Sequence, residues 1–346
     1  MPWDGLLGLD GSRQTPAARE VISLAGTTNA FRDGGWQIKK LSGLDVSEST
    51  ILRTTEAAGD ELAQALDQGA PIEHEENWDW ACDARGRRCG YASVDGIHVP
   101  MQGPGGKHAE TRVEYVGRLY NHRGGAAAPE ETPGLDTRYV AGFHSLDETC
   151  GHLFQHLQQV GGEQVQEWIC ITDGGAGIAE ALKRTFCWTT WILDFWHAKE
   201  YLLEFAKTLF ADDETSREAW LSSWCHALKH EGGSVVLARL RALDQAAWSA
   251  AAREAWCTLT RYYENQLEGM DYPSYVANGW QIGSGPVEAA CKTVVATRLK
   301  RSGMRWKERG ANTVSHLRAL YLNGEAAWNA YWAWRQHPPA TLRIAA

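Results

Sequence analysis

No stretch of this 346-residue chain approaches the roughly 18 consecutive apolar residues of a membrane span. A membrane partner is therefore not expected. The opening segment MPWDGLLGLDGSRQ lacks a basic start followed by an apolar run, so no signal peptide is read there and a cytoplasmic location is expected. Positive charge is not in excess either. The net charge of −9 argues mildly against a nucleic-acid partner, although total charge says little when basic residues cluster on one face. The eight cysteines, at 82, 89, 150, 170, 187, 225, 257 and 291, form no regular framework. Cys82 and Cys89 bracket the basic loop DARGRR, but a zinc site needs four ligands and no second close pair follows. Cys170, Cys187 and Cys291 lie in apolar segments and read as small core residues. A phosphate loop is missing its Gly-Lys-Ser/Thr ending, and repeats and low-complexity tracts are absent.

What is present is a globular composition, 44% hydrophobic and 22% charged, on a chain long enough for a sizeable core. The 17 tryptophans read first as core aromatics and second as base-stacking surfaces. Residues 1–68 read as helical. TPAAREVISLAG is amphipathic, and WQIKKLSGLDVSESTILRTTEAAGDELAQAL gives a short helix, a Ser-Gly turn and a longer helix. Ser47 is its expected cap, with Leu41, Leu44, Val46 and Ile51 as a small core. That spacing suits a helix-turn-helix, or equally a plain helical hairpin. Residues 69–90 are polar and bounded by Gly and Pro, and read as a linker.

Over residues 91–197 the expected order is β-β-β-α-β-α-β. The strands lie in YASVDGIHV, TRVEYVGRLYNH, TRYVAGFHS, QEWICITDGG and WTTWILDFWH, and RGGAAAPEETPGLD is a loop. Three strands in succession suggest an antiparallel meander, and the later crossovers suggest parallel additions. Residues 198–278 are helical throughout. The closing part, 279–325, holds a loop entering a helix, IGSGPVEAACKTVVATRLKRSGMRW, then the helix ERGANTVSHLRALYLNG. Residues 326–346 read as a C-terminal tail, loose after Trp334.

Three carboxylates carry the chemistry. Asp95 lies among β-branched neighbours in SVDGIHV, where a charge is costly unless it binds something or faces water. Asp173 ends the apolar strand WICITDGG just before Gly174, Gly175 and Gly177. Strand carboxyl ends collect sites in open α/β sheets, while a helix cap is the alternative. Glu288 falls in the first turn of a helix begun by Ser284, Gly285 and Pro286, where a capping box would also explain it. Carboxylates converging from separate elements suit divalent magnesium, which prefers oxygen ligands.

This set resembles the site of the DDE transposases, with a ribonuclease H-like core. VDGIHV, ITDGGAGI, ILDFWHAKEYL, YYEN, NGWQIGSGPVEAACKTVV and RLKRSGMRW resemble stretches of the ISKra-type bacterial insertion-sequence transposases over roughly residues 90–325. The resemblance implies a mixed five-stranded sheet interrupted by a helical insertion. It implies that Asp95, Asp173 and Glu288 bind two Mg²⁺ or Mn²⁺ ions, and that the partners are element ends and target DNA. A homo-oligomer on DNA and a nucleoid-associated location are implied with it. Asp194-Phe195-Trp196-His197 resembles the Cys or Asp, two residues, then His of Mutator-like relatives. Asp194 and His197 would then orient the second Asp or a phosphate, or else Asp194 simply caps the next helix. Asp194 is also a rival to Asp173 as second ligand.

A basic run follows Glu288: Lys292, Arg298, Lys300, Arg301, Arg305, Lys307 and Arg309, against the single acid Glu308. Lys292 stands four residues from Glu288 and is expected to pair with it. The others read as phosphate contacts, sequence-independent in kind, or as a solvated face. The expected reaction is metal-dependent DNA cleavage and strand transfer. Its alternatives are a nuclease of the same fold, a non-catalytic DNA-binding descendant of a transposase, and a metabolic enzyme without a nucleic-acid partner.

Overall fold

In a computed structural model, the structure describes residues 9, 14–70, 72, 75–122, 136–175, 177–186 and 189–336. The anticipated loop at 123–135, Cys187 and the last ten residues lie outside the described set. At the centre is a mixed five-stranded sheet. Its strands are β1 (Cys89–Val99), β2 (Arg112–Tyr120), β3 (Thr137–Gly142), β4 (Glu167–Thr172) and β5 (Thr189–Leu193), in the order β3-β2-β1-β4-β5. β1, β2 and β3 form the antiparallel meander, and β4 and β5 run parallel to β1.

Three helices precede the sheet: α1 (Pro16–Thr28), α2 (Phe31–Ser42) and α3 (Glu48–Asp67). α4 (Leu146–Gln159) and α5 (Ile178–Thr185) make the crossovers to β4 and β5. Helices on both sides explain why Trp168, Ile169, Cys170 and Ile171 are all buried in succession rather than alternating. On one face Ala92, Val94, Leu119 and Val140 meet Leu153 of α4 and Leu182 of α5. On the other, Tyr91, Ile169, Ile171 and Ile192 meet the helical insertion. The insertion comprises α6 (Phe195–Leu209), α7 (Glu214–Glu231), α8 (Gly233–Arg241), α9 (Ala250–Gln266) and α10 (Tyr272–Ala277). α11 (Gly285–Ala290) then runs into a π-helical stretch, Cys291–Ala296, and the short α12 (Thr297–Leu299). These pack with α13 (Glu308–Leu322) against Val99, Val116 and Ala141.

Four details depart from the sequence reading. Ser47 does cap α3, its Oγ accepting from Thr50 N–H at 3.2 Å, but Leu41 and Leu44 are exposed and only Ile51 and Val46 join the small core. α3 does not stand clear as a separate reading head. Gly59 lies so close to Thr313 of α13 that a Cβ would come within 2.4 Å of its carbonyl oxygen, and Tyr331 donates to the Ala58 carbonyl. The linker buries Trp78 and Trp80 against the sheet, and β1 begins inside it. Residues Glu325–Gln336, read as tail, form α14, because Ala327, Trp328, Tyr331 and Trp332 make one apolar face that packs on α3 and α13.

Candidate active site

At the carboxyl ends of the central strands Asp194 and Glu288 come together with His197, while Asp95 and Asp173 stand near enough for their charges to act there but, among the described residues, do not enter the group able to share a metal ion. β1 and β4 pair from Cys89↔Glu167 to Ala92↔Cys170. Continuing that register by three residues sets position 95 beside position 173, about 4.8 Å being the spacing of neighbouring strands. β1 outruns β4 and goes on pairing with β2, Asp95 opposite Val116. Asp95 is thereby held at the edge of β4's last turn. Its Oδ1 accepts from Gly96 N–H at 2.7 Å, and the Cys291 thiol lies 3.6 Å from Oδ2.

Asp173 follows β4 directly. Its Oδ1 accepts from Gly175 N–H at 2.7 Å, and its own carbonyl accepts from the Tyr262 hydroxyl at 3.1 Å. Gly174 has a φ of 82° and leaves no space for a Cβ, which would meet Leu193, Gln266 and Tyr262. The insertion therefore clamps the loop that presents Asp173. Tyr262 is in turn stacked on Tyr201 of α6, ring centroids 3.7 Å apart.

Asp194 ends β5 and caps α6, accepting from Trp196 N–H at 2.8 Å. It does more than cap. Its buried Oδ2 is 2.8 Å from His197 Nδ1 and accepts from Ser284 Oγ at 2.5 Å. The loop that brings Ser284 here is pinned by Phe195 N–H donating to the Ile282 carbonyl, Gln281 N–H to Tyr91 Oη, and Arg118 Nη1 to the Pro286 carbonyl. Ser284 Oγ is also 2.9 Å from Glu288 Oε1. One hydroxyl proton stands between two carboxylates, so it serves one of them at a time, and Asp194 Oδ2 has His197 as a second donor. The expected capping box is not made: Ser284 caps no backbone N–H with its side chain.

The charges interact across this cluster. Burial pushes the Asp95 carboxyl up, and the charges of Asp173 and Glu288 add to it. Burial would also raise Asp194, but hydrogen bonds from His197, Ser284 and Trp196 N–H outweigh it and hold the carboxyl below its ordinary value. His197 is raised to about 9, first by its bond to Asp194, against burial, and further by the charge of Asp173. Asp194 and His197 thus form a carboxylate–imidazolium pair.

Asp194, His197 and Glu288 each bring a ligand atom within 4.8 Å of the others, close enough to hold a metal ion. His197 Nδ1 is engaged by Asp194, which leaves Nε2 as its other nitrogen. Asp194 was foreseen as supporting or rival; Ser284's bridge to it was not foreseen, and the Asp-x-x-His spacing was the one signal pointing there. Among the described residues no metal-ligating group includes Cys82 or Cys89.

The chain matches the profile of an uncharacterised protein family, UPF0236, over residues 4–336. It belongs to that family. No curated protein matches it.

The basic run divides in two. Lys292, Lys300, Arg301, Arg305, Lys307 and Arg309 are exposed. Arg298 is buried, correcting its reading as a DNA contact. Its Nε and Nη2 donate to the Gly26 carbonyl at 3.1 and 2.9 Å, and its guanidinium lies over Phe31 and Trp306. It fastens α1 to α12. Lys292 makes no ion pair with Glu288, because the winding changes to π at Cys291 and the four-residue spacing no longer aligns side chains. Among the described residues no helix is long and apolar enough to cross a membrane.

Proposed function

We propose that this chain is a DNA transposase of an insertion sequence, of ISKra type, with a DDE site on a ribonuclease H-like core. The observation that carries the reading is the convergence of acids from distant elements: Asp95 in register with Asp173, and the charges of Asp173 and Glu288 both weighing on the Asp95 carboxyl. The antiparallel meander extended by two parallel strands through helical crossovers supports the same core.

The donor set fits hard divalent cations. It is made of carboxylate oxygens, Asp95 has no cationic partner among the described residues, and Ser284 offers one proton to two acids. In this reading Asp95, Asp173 and Glu288 hold two Mg²⁺ or Mn²⁺ ions. Bound there, such ions supply activation of the attacking oxygen and charge stabilisation of the leaving one. Asp194 keeps His197 protonated, and the imidazole nitrogen not engaged by Asp194 is left to donate to a phosphate oxygen. The exposed basic residues after Glu288 hold the phosphate backbone. Water attacks phosphorus and the P–O3′ bond breaks, freeing a 3′ hydroxyl. That hydroxyl then attacks a target phosphodiester, joining the strands and releasing a second 3′ hydroxyl. Both are in-line phosphoryl transfers, so positioning and electrostatics do most of the catalysis.

The test is cleavage and joining of DNA carrying the element's ends, with Mg²⁺ or Mn²⁺, by the native chain and by Asp173→Ala. Metal-dependent joining by the native chain alone supports the reading. Cleavage without joining of a pre-cut end makes the chain a nuclease, and equal activity in both proteins sinks the assignment.

A further inference from the structure

Among the described tryptophans the rule is burial, yet two stay more than half exposed: Trp36 at 63% and Trp196 at 58%. Trp196 is the one at the site. It stands between Asp194 and His197, and its N–H donates to Asp194 Oδ1. Its ring is held firmly while remaining open to solvent. Phe195 meets it edge-on at 6.0 Å, and the five-membered edge lies on Gly283, where a Cβ would come within 3.2 Å of Cδ1 and Nε1. Gly283 directly precedes Ser284, the hydroxyl between Asp194 and Glu288. A cation already lies over one face of the ring, Lys199 Nζ being 4.9 Å from its centroid, so it is the opposite face that is offered to a base. The helix cap at Asp194 uses only the backbone of this residue, so the cap does not explain an indole left more than half in water at a cluster of acids. A rigid, exposed aromatic face flanked by a cation is what an unpaired base and its phosphate require.

We propose that Trp196 is a stacking platform for one unpaired base of a DNA strand entering the site, with Lys199 receiving the phosphate beside that base. The inference rests on the DNA-binding half of the reading above and not on cleavage. It makes the site selective for single-stranded or locally opened DNA next to the reacting phosphate. Paired bases within a duplex cannot reach the ring face.

Binding of a short labelled single strand, the same strand with one base removed, and the matching duplex tests it. Trp196→Ala weakens binding of the intact strand by roughly 5- to 150-fold, the effect of losing one stacked base. Trp196→Phe keeps most of the affinity. Removing the stacked base costs the native protein the same factor and costs Trp196→Ala nothing. Duplex affinity hardly moves. Lys199→Ala lowers the salt dependence of single-strand binding by about one phosphate contact. The helix cap uses the backbone of Trp196, so these variants keep their fold, as thermal melting checks. Equal single-strand affinity of native and Trp196→Ala proteins overturns the platform, as does a base-removal penalty that survives in the variant. If those results appear while the native chain cleaves DNA, the platform alone falls. If stacking is found without cleavage, the platform stands and the phosphoryl-transfer reading falls. A native chain that binds neither strand nor duplex ends both.

Discussion

Two dense clusters of titratable side chains lie on this fold, and they are built on opposite principles. Between α4, β3 and α13, His144 and His316 face each other with their Nε2 atoms 2.9 Å apart, and His152 packs edge-on against His144. His316 Nδ1 donates to the Asn312 carbonyl, which leaves Nε2 to accept from His144. Burial lowers all three, His152 to about 4 and His316 to about 3. They are neutral, and their partners are largely one another. At the strand ends the acids repel each other, and among the described residues no basic side chain pairs with Asp95. The first cluster is neutral and packed ring on ring, with Asp67 beside it and His152 Nδ1 left without a hydrogen-bond partner among the described residues. The second gathers charges of one sign, and that contrast is what the proposed cation site would explain.

The sharpest way to break this contrast is to substitute one residue in each cluster. Glu288→Gln lowers metal-dependent cleavage about a thousandfold or more, since charge stabilisation by bound cations is worth several kcal/mol and about 1.36 kcal/mol is tenfold in rate. His316→Gln leaves cleavage near native and lowers the melting temperature. Calorimetry gives a second reading. Mn²⁺ raises the melting temperature of the native chain and of His316→Gln, because a ligand of the folded state stabilises it. In Asp95→Asn that rise is absent. A metal-induced rise of native size in Asp95→Asn contradicts the site.

Acid comes next in size. His152 and His316 take up protons less readily when folded than the ordinary 6.5 of the unfolded chain. The unfolded state therefore binds the extra protons as pH falls through 6.5. Stability is fully present above about pH 7 and is lost towards pH 4, each histidine contributing a slope of about 1.4 kcal/mol per pH unit in that window. Glu114 opposes this. It is fully buried on β2 with Ser315 beside it, and burial pushes it up to about 8. A raised acid stabilises below its unfolded pKa and loses that contribution as pH rises through about 8. Urea midpoints from pH 5 to 8 therefore rise more steeply in Glu114→Gln than in the native chain, and less steeply in His316→Gln. A flat profile in Glu114→Gln, where that acid no longer opposes the histidines, rules the histidine account out.

A smaller effect sharpens the boundary of the site. Asp194→Asn removes the anion that keeps His197 charged, without touching Asp95 or Asp173. Cleavage falls by roughly 10- to 100-fold, the usual size for a group that positions ligands, and the alkaline limb of its pH profile moves down. A loss as large as that of Glu288→Gln makes Asp194 a ligand in its own right.

How far the sequence carried this depends on the kind of signal. Strand order and the glycine turn at Asp173 were legible because apolar runs and glycines are local. So was Ser47, whose cap lies within four residues. Asp95 and Glu288 were legible only through resemblance, since each has an adequate local explanation in strand exposure or helix capping. Ser284 does stand at the N-cap of α11, but its side chain bridges two acids ninety and four positions away, a role no local pattern encodes. α14 was missed because its tryptophans look like a tail until α3 and α13 supply the opposite wall. The π stretch at Cys291–Ala296 was equally invisible. Arg318 of α13 donates to the carbonyls of Thr293 and Val294 within it, so the altered winding is stabilised from a distant helix.

The basic run offers the finest test, because the fold grades its members. Lys300 and Lys307 are exposed and form no ion pair among the described residues, and Arg305 reaches only the Gly106 carbonyl at 3.5 Å. Arg309 is tied to Asp60, and Arg301 lies 3.8 Å from Asp33. A phosphate contact contributes about 0.9 to the slope of log affinity against log salt. Alanine at 300, 305 or 307 therefore lowers the slope by about one each, and at 301 or 309 by less, since an acid already competes for the charge. Arg298→Ala leaves the slope unchanged and destabilises the fold by roughly 2–4 kcal/mol, through lost packing between Phe31 and Trp306 and two lost hydrogen bonds. If Arg298→Ala lowers the slope as Lys300→Ala does while melting like the native chain, the burial that separates core from contact in this run has been misjudged.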